Sequence, residues 1–202
     1  MTACEWNPYA IYALRCNLKA NGVDDKATVL EGDCRVSLRT FFEDSKAGLI
    51  QDDYFDRVSL GLLPSSEGGW AIAVACLNQT TGGWLHVHGN VPSSEREQWA
   101  HWVCQSLHSL ARKHNHSKCW HAVCTHVERV KSFAPRVDHI VADVFVGPSD
   151  SPKLSLQDIS RLTGVIDSSS SFCSTKNGVI TPPSCALSKD GILHQDWLME
   201  KL

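Results

Sequence analysis

The chain has no apolar run of about 18 residues, so its sequence offers no membrane-spanning helix. It also lacks an excess of either charge. Nineteen Lys and Arg against 22 Asp and Glu leave a net charge of −3 over 202 residues, which excludes a protein that holds nucleic acid by its overall charge. Two local basic stretches remain, Arg112-Lys113-His114 running to Lys118, and Arg129, Lys131 and Arg136; both read as solvated surface. No Cys-x-x-Cys pair occurs among the nine scattered cysteines, an odd number that fits reduced thiols in a cytoplasmic protein better than a disulfide framework. No leader is visible, because Met1 runs straight into a strand-like segment. The histidines and cysteines from His101 to His126 are spread over a helix, a turn and a strand, a spacing unlike a zinc site, and no metal is expected.

What is present is a soluble globular composition, 43% hydrophobic and 20% charged, enough for one core plus a tail. Residues 1–146 alternate strand and helix character with short connections, the pattern of an α/β fold with a mostly parallel sheet. A strand ends at Glu5. Pro8 suits a helix start and Asn21-Gly22 its end. Residues 28–30 form the next strand, and a helix is expected over 35–42, followed by a short insertion at 44–53. Residues 56–63 read as a buried strand broken by Pro64-Ser65-Ser66, and 67–77 as a helix that Ser66 would cap. Trp84 to His88 alternate as a strand, with His86 and His88 on one face and packing as their expected role. Residues 95–113 give a long helix with Trp99, Trp102, Val103, Leu107 and Leu110 on one face. Residues 119–130 and 137–144 read as a closing antiparallel hairpin around Phe133-Ala134-Pro135. From 147 to 202 the Ser runs, Pro182-Pro183 and weak periodicity predict a loosely ordered tail with one short helix at 154–162.

Strand, acidic residue, helix, strand, acidic residue is the order found in nucleotide-binding α/β sheets, where a carboxylate at a strand's carboxyl end takes ribose hydroxyls. Such sheets place a strand and a glycine-rich turn ahead of that carboxylate, and here nothing precedes it. The expectation is a domain without its first strand, in which the strand ending at Glu5 and the strand at 57–62 each keep an unpaired edge.

The combination Cys4-Glu5-Trp6-Asn7-Pro8, Asn21-Gly22-Val23, Gly32-Asp33-Cys34-Arg35, Gly61-Leu62-Leu63-Pro64-Ser65-Ser66, Trp84-Leu85-His86-Val87-His88-Gly89-Asn90 and Arg136-Val137-Asp138-His139 closely resembles the tRNA wybutosine-synthesizing protein 2 family. The resemblance implies a class I methyltransferase-like, Rossmann-like sheet over 1–146 that uses S-adenosyl-L-methionine as co-substrate. It implies transfer of the 3-amino-3-carboxypropyl group to a tricyclic guanosine derivative beside the anticodon of phenylalanine tRNA. By the same resemblance Glu5 takes the ribose hydroxyls, and Asp33 and the Cys34 amide meet the adenine. Pro64, Ser65 and Ser66 lie where the target base arrives, and no side chain is singled out as catalytic. The tRNA guanine-N1 methyltransferases are the neighbouring alternative. They carry an Asn where Gly61 stands, and a glycine cannot relay a proton, which favours aminocarboxypropyl transfer. A catalytically silent fragment is the reading from another class.

Overall fold

The computed structural model describes residues 1–46, 55–114, 120–154 and 182–186. The chain divides into two units, Met1–Asp53 and Tyr54–Leu202.

In the first unit, β1 (Thr2–Glu5) and β2 (Thr28–Glu31) pair in parallel, Thr2 opposite Thr28 and Glu5 opposite Glu31. Between them runs α1 (Pro8–Ala20). Its N-cap is Asn7, whose side chain accepts from the Tyr9 amide at 3.0 Å; Pro8 fills the first turn, where a missing N–H costs nothing. At the other end the Asn21 amide donates to the Asn17 carbonyl, and Gly22 takes the left-handed φ of 63° that ends the helix. After β2 comes α2 (Cys34–Lys46), one turn longer than the sequence pattern predicts. The extra turn covers residues expected as the start of an insertion; the rest of that insertion, 47–53, lies outside the described residues.

In the second unit a four-stranded sheet runs in the order β3-β4-β6-β5. Its strands are β3 (Arg57–Leu60), β4 (Gly83–Pro92), β5 (Trp120–Ala134) and β6 (Val137–Pro148). β3 and β4 are parallel, and β6 runs antiparallel to both β4 and β5, the closing hairpin that the sequence predicts. Short α3 (Trp70–Ala75) and long α4 (Arg96–His114) cover one face. Trp99, Trp102, Val103, Leu107 and Leu110 all turn inward from α4 onto Leu85, Val87, Ile140, Ala142 and Val144, with the Trp102 ring tilted against Trp70 at 5.0 Å between centroids. The alternate side chains of β4 and β6 form the other face. There Trp84 meets Phe145, His86 Nδ1 lies 2.6 Å from Asp143, and His88 Nδ1 lies 3.0 Å from His139 Nε2.

Three expectations change. The strand at 56–63 is shorter and not buried: β3 alternates between exposed and half-buried, and Leu62 beyond it is 66% exposed. Among the described residues β3 pairs only with β4, and β1 only with β2, so neither has the two covered flanks that make a parallel strand apolar throughout. The helix at 67–77 is a 3-10 turn (Glu67–Gly69) followed by α3, since Gly68-Gly69 disfavours a regular first turn. Ser66 makes no side-chain cap there; its hydroxyl turns inward.

Two pieces of the predicted loose tail are packed. Ser151 donates to the Thr81 carbonyl at 2.6 Å, Lys153 Nζ reaches Asp56 at 2.5 Å, and Leu154 is buried against Val123 and Phe145. Residues 182–186 dock on α4's start, where the amide and hydroxyl of Ser184 both donate to Glu95. The short helix expected at 154–162 falls almost wholly outside the described residues.

Candidate functional site

Two sets of predicted residues fall at carboxyl ends of parallel strands, the edge where α/β sheets bind ligands. The first belongs to the first unit. Glu5 closes β1, and its Oε1 accepts from two amides of the following turn, Trp6 at 2.9 Å and Asn7 at 2.8 Å. These bonds hold the turn that starts α1. Oε2 takes no hydrogen bond among the described residues and remains available to a ligand's hydroxyls. The Glu5 carbonyl accepts from the Gly32 amide at 2.9 Å, which ties the ends of β1 and β2 together. Gly32 has a φ of 104°, and a Cβ there would meet nothing within 4 Å. The backbone therefore takes a left-handed turn here, and the space into which a Cβ would project is open.

Asp33 follows at once. Its Oδ1 accepts from the Arg35 amide and from Arg35 Nε, each at 2.9 Å, and its Oδ2 meets the same guanidinium. That side-chain contact is the main reason its carboxyl titrates below the usual carboxylate range. The pair is roughly two-fifths exposed on each side, so Arg35 is a yielding partner that a ligand amine can displace. Cys34 opens α2, where an α-helix leaves its first amides without intrahelical acceptors. Its half-buried thiol is pushed up, by burial first and by Asp33 second, so it stays a neutral thiol. Glu5, Asp33 and Cys34 thus lie at the joined carboxyl ends of β1 and β2. What the sequence does not reveal is that Arg35 neutralises Asp33, although an Asp before a helix with Arg two places on is a readable capping pattern.

The fit to a nucleoside follows from these donors and acceptors. A carboxylate oxygen without a partner, a glycine-lined opening and a helix-opening amide match two vicinal hydroxyls and an adenine edge in kind.

The second set lies after β3. The Leu63–Pro64 peptide is cis, the Pro64 carbonyl accepts from the Asn90 amide at 3.0 Å, and Ser65 bridges to Gly89. Ser65 Oγ donates to Glu67 at 2.8 Å. Ser66 is 3% exposed, and its Oγ accepts from Trp70 Nε1 at 3.1 Å, so the hydroxyl packs the turn and faces away from solvent. Pro64 and Ser65 are the members of this set that reach the surface.

Two polar residues here escape sequence reasoning. Glu67 is 1% exposed beneath the turn, and Asn90 is 7% exposed with its Oδ1 unpartnered among the described residues. Buried carboxylates and amides have to be partnered: Glu67 fixes the turn through Ser65, and the Asn90 Oδ1 is open to a ligand. The only signal for Glu67 is a charge placed directly before an apolar run. Among the described residues no three His, Cys, Asp or Glu side chains gather as a metal cluster. Cys104 and Cys124 face each other, and His116 and Cys119 lie outside the described residues.

No family model matches the chain. Known structures share its fold. TYW2 from M. jannaschii in complex with AdoMet superposes with a TM-score of 0.57 at 20% identity, over 73% of this chain and 57% of that one. Trm5b from Pyrococcus abyssi superposes at 0.54 with 24% identity, over 72% and 37%. The fold is therefore the Rossmann-like class I methyltransferase fold. Sequence relatives are more informative. The tRNA wybutosine-synthesizing protein 2/3/4 of Arabidopsis thaliana is 45% identical over 142 residues, covering 70% of this chain and 13% of its own length. The tRNA wybutosine-synthesizing protein 2 homologs of Bos taurus and Homo sapiens are 35% and 33% identical, over 72% and 74% of this chain. The chain spans 41% of each of those two proteins. By sequence and by fold the chain is thus a homologue of the tRNA wybutosine-synthesizing protein 2 proteins.

Proposed function

We propose that this chain carries the S-adenosyl-L-methionine-binding part of a tRNA-modifying transferase of wybutosine biosynthesis. Its reaction is transfer of the 3-amino-3-carboxypropyl group to a tricyclic guanosine derivative in phenylalanine tRNA. The observation that carries the reading is the joined edge of β1 and β2, where Glu5 Oε2 stands without a partner beside the Gly32 opening and the Cys34 amide.

The residues divide the work by what each presents. Glu5 receives the two ribose hydroxyls on Oε2 while Oε1 keeps its own turn in place. Asp33 accepts from the adenine amine, displacing Arg35, and the Cys34 amide donates to the ring. The sulfonium of the co-substrate supplies the activated carbon, so little acid–base chemistry is asked of the protein. Positioning carries the rate, and a rigid turn at Pro64 and Ser65, tied to β4 through Asn90 and Gly89, suits a positioning surface for the base. At Gly61 a Cβ would meet nothing within 4 Å, so the end of β3 offers a flat, unhindered approach and no proton-relaying side chain. That favours aminocarboxypropyl transfer over guanine-N1 methylation.

Two labelled forms of the co-substrate test this directly. With tRNA purified from cells lacking the aminocarboxypropyl step, carbon label in the carboxypropyl chain enters the tRNA and label in the methyl group does not. Transfer of the methyl label refutes the reading in favour of a methyltransferase, and transfer of neither label together with no calorimetric binding of S-adenosyl-L-methionine refutes it outright.

A further inference from the structure

The edge strand β5 of the second unit's sheet carries a feature of its own. From His126 to Phe133 every residue of β5 is exposed, and Val127, Val130 and Phe133 are 39%, 51% and 58% exposed. β5 is an edge strand with three register shifts against β6, which twist it and discourage pairing with another strand. An apolar edge of this kind normally calls for a partner.

Cations surround it. Arg129 and Lys131 face opposite sides of the strand, Arg129 opposite buried Ile140 and Lys131 opposite His139 on the polar face. Arg129 Nε donates at 2.7 Å to Asp138, which also takes Ser93 Oγ at 2.6 Å and the guanidinium of Arg96. One buried carboxylate thus fixes two half-exposed arginines, whose five donors each exceed what Asp138 accepts. Glu128, held by His126, is the only exposed acid on this strand, and Glu95 at the start of α4 is committed to Ser184.

Arg136 adds an independent observation. It occupies the two-residue turn between β5 and β6 with a φ of 61°, a conformation that favours glycine and that no other described non-glycine residue adopts. Its exposed side chain does nothing for the turn, because only its backbone carbonyl is used, accepting from Ser93 at 2.9 Å. A strained backbone kept for an exposed guanidinium points to a ligand.

We propose that the β5–β6 hairpin is an RNA-binding edge. Arg96, Arg129, Lys131 and Arg136 take backbone phosphates, and Phe133 stacks on an unpaired base. Aromatic faces interleaved with cations are how proteins hold looped or single-stranded RNA. The inference rests on the tRNA reading above for the identity of the RNA.

The test uses the 202-residue chain and a fluorescently labelled anticodon stem–loop RNA, with anisotropy titrations at two salt concentrations. Phe133→Ala weakens binding about tenfold. Arg136→Gly weakens it about threefold and lowers the salt slope by roughly one, while its thermal midpoint holds or rises because the φ strain is gone. S-adenosyl-L-methionine affinity, measured calorimetrically, is unchanged in both variants. Wild-type RNA affinity in both variants overturns the hairpin edge and leaves the transferase reading standing. A wild-type chain that binds no RNA also overturns it. Phe133→Ala that turns a dimer into a monomer in sedimentation, with RNA affinity intact, overturns it in favour of a contact between copies. Failure of the label-transfer test with RNA binding lost in the variants refutes the transferase reading alone.

Discussion

Replacing Glu5 by Gln and by Ala separates what its two oxygens do. Oε1 holds the Trp6 and Asn7 amides at 2.9 and 2.8 Å, on a partly exposed turn. Hydrogen bonds to a charged acceptor contribute about 1.5–3 kcal/mol when buried, and solvent reduces the two here to roughly 1–2 kcal/mol together. Glu5→Ala loses that, lowering the midpoint by about 2–4 °C per kcal/mol for a chain of this size. Glu5→Gln keeps an acceptor at the Oε1 position, so its midpoint stays within about 1 °C of wild type. Oε2 is the proposed ribose contact, and both variants remove it. Gln retains an uncharged polar group there and costs about 1.4 kcal/mol, tenfold in affinity. Ala costs about 1.5–3 kcal/mol, ten- to a hundredfold. Calorimetry with S-adenosyl-L-methionine and thermal unfolding without it read the two effects independently. A Gln variant with wild-type affinity refutes the ribose role, and equal loss of stability in both variants refutes the turn-holding role of Oε1.

Ser66→Ala leaves the Trp70 indole N–H without its acceptor in a buried site, so unfolding free energy falls by about 1–3 kcal/mol while label transfer per folded molecule is unchanged. A stable variant with lost transfer would instead make Ser66 a substrate contact. Asp138 has its carboxyl held far below the usual range, chiefly by Ser93 and Arg129. A depressed carboxyl contributes stability above its unfolded pKa of about 4 and loses it progressively as pH falls below that value. Urea unfolding of wild type therefore weakens from pH 4 to pH 2, and Asp138→Asn, weaker at pH 7, shows a flatter acid limb; parallel limbs would contradict the pairing.

Much of the architecture is legible in local chemistry. Asn7-Pro8 and Asn21-Gly22 bracket α1 because capping and left-handed turns are short-range events. The inward face of α4 is plain because a 3.6-residue period needs no knowledge of the partner. The strand at 56–63 is misread for the opposite reason: an apolar run reports the burial of a complete sheet, whereas β3 is flanked on one side only among the described residues. Gly68-Gly69 is a local signal that an apolar count over 67–77 overrides wrongly. At the site, Glu5, Asp33 and Cys34 are readable as strand-end residues. The Asp33–Arg35 pair, the burial of Glu67 and the inward turn of Ser66 depend on side-chain direction, which residue order does not encode.

The carboxyl edge of β1 and β2 is where co-substrate binding and the proposed function meet. An amide-resolved NMR titration of the isotopically labelled chain with S-adenosyl-L-methionine addresses it most directly. Saturable shifts at Trp6, Asn7, Gly32, Cys34 and Arg35, needing about tenfold more co-substrate in Glu5→Gln, are the predicted result; saturable binding that leaves those amides unmoved would contradict it.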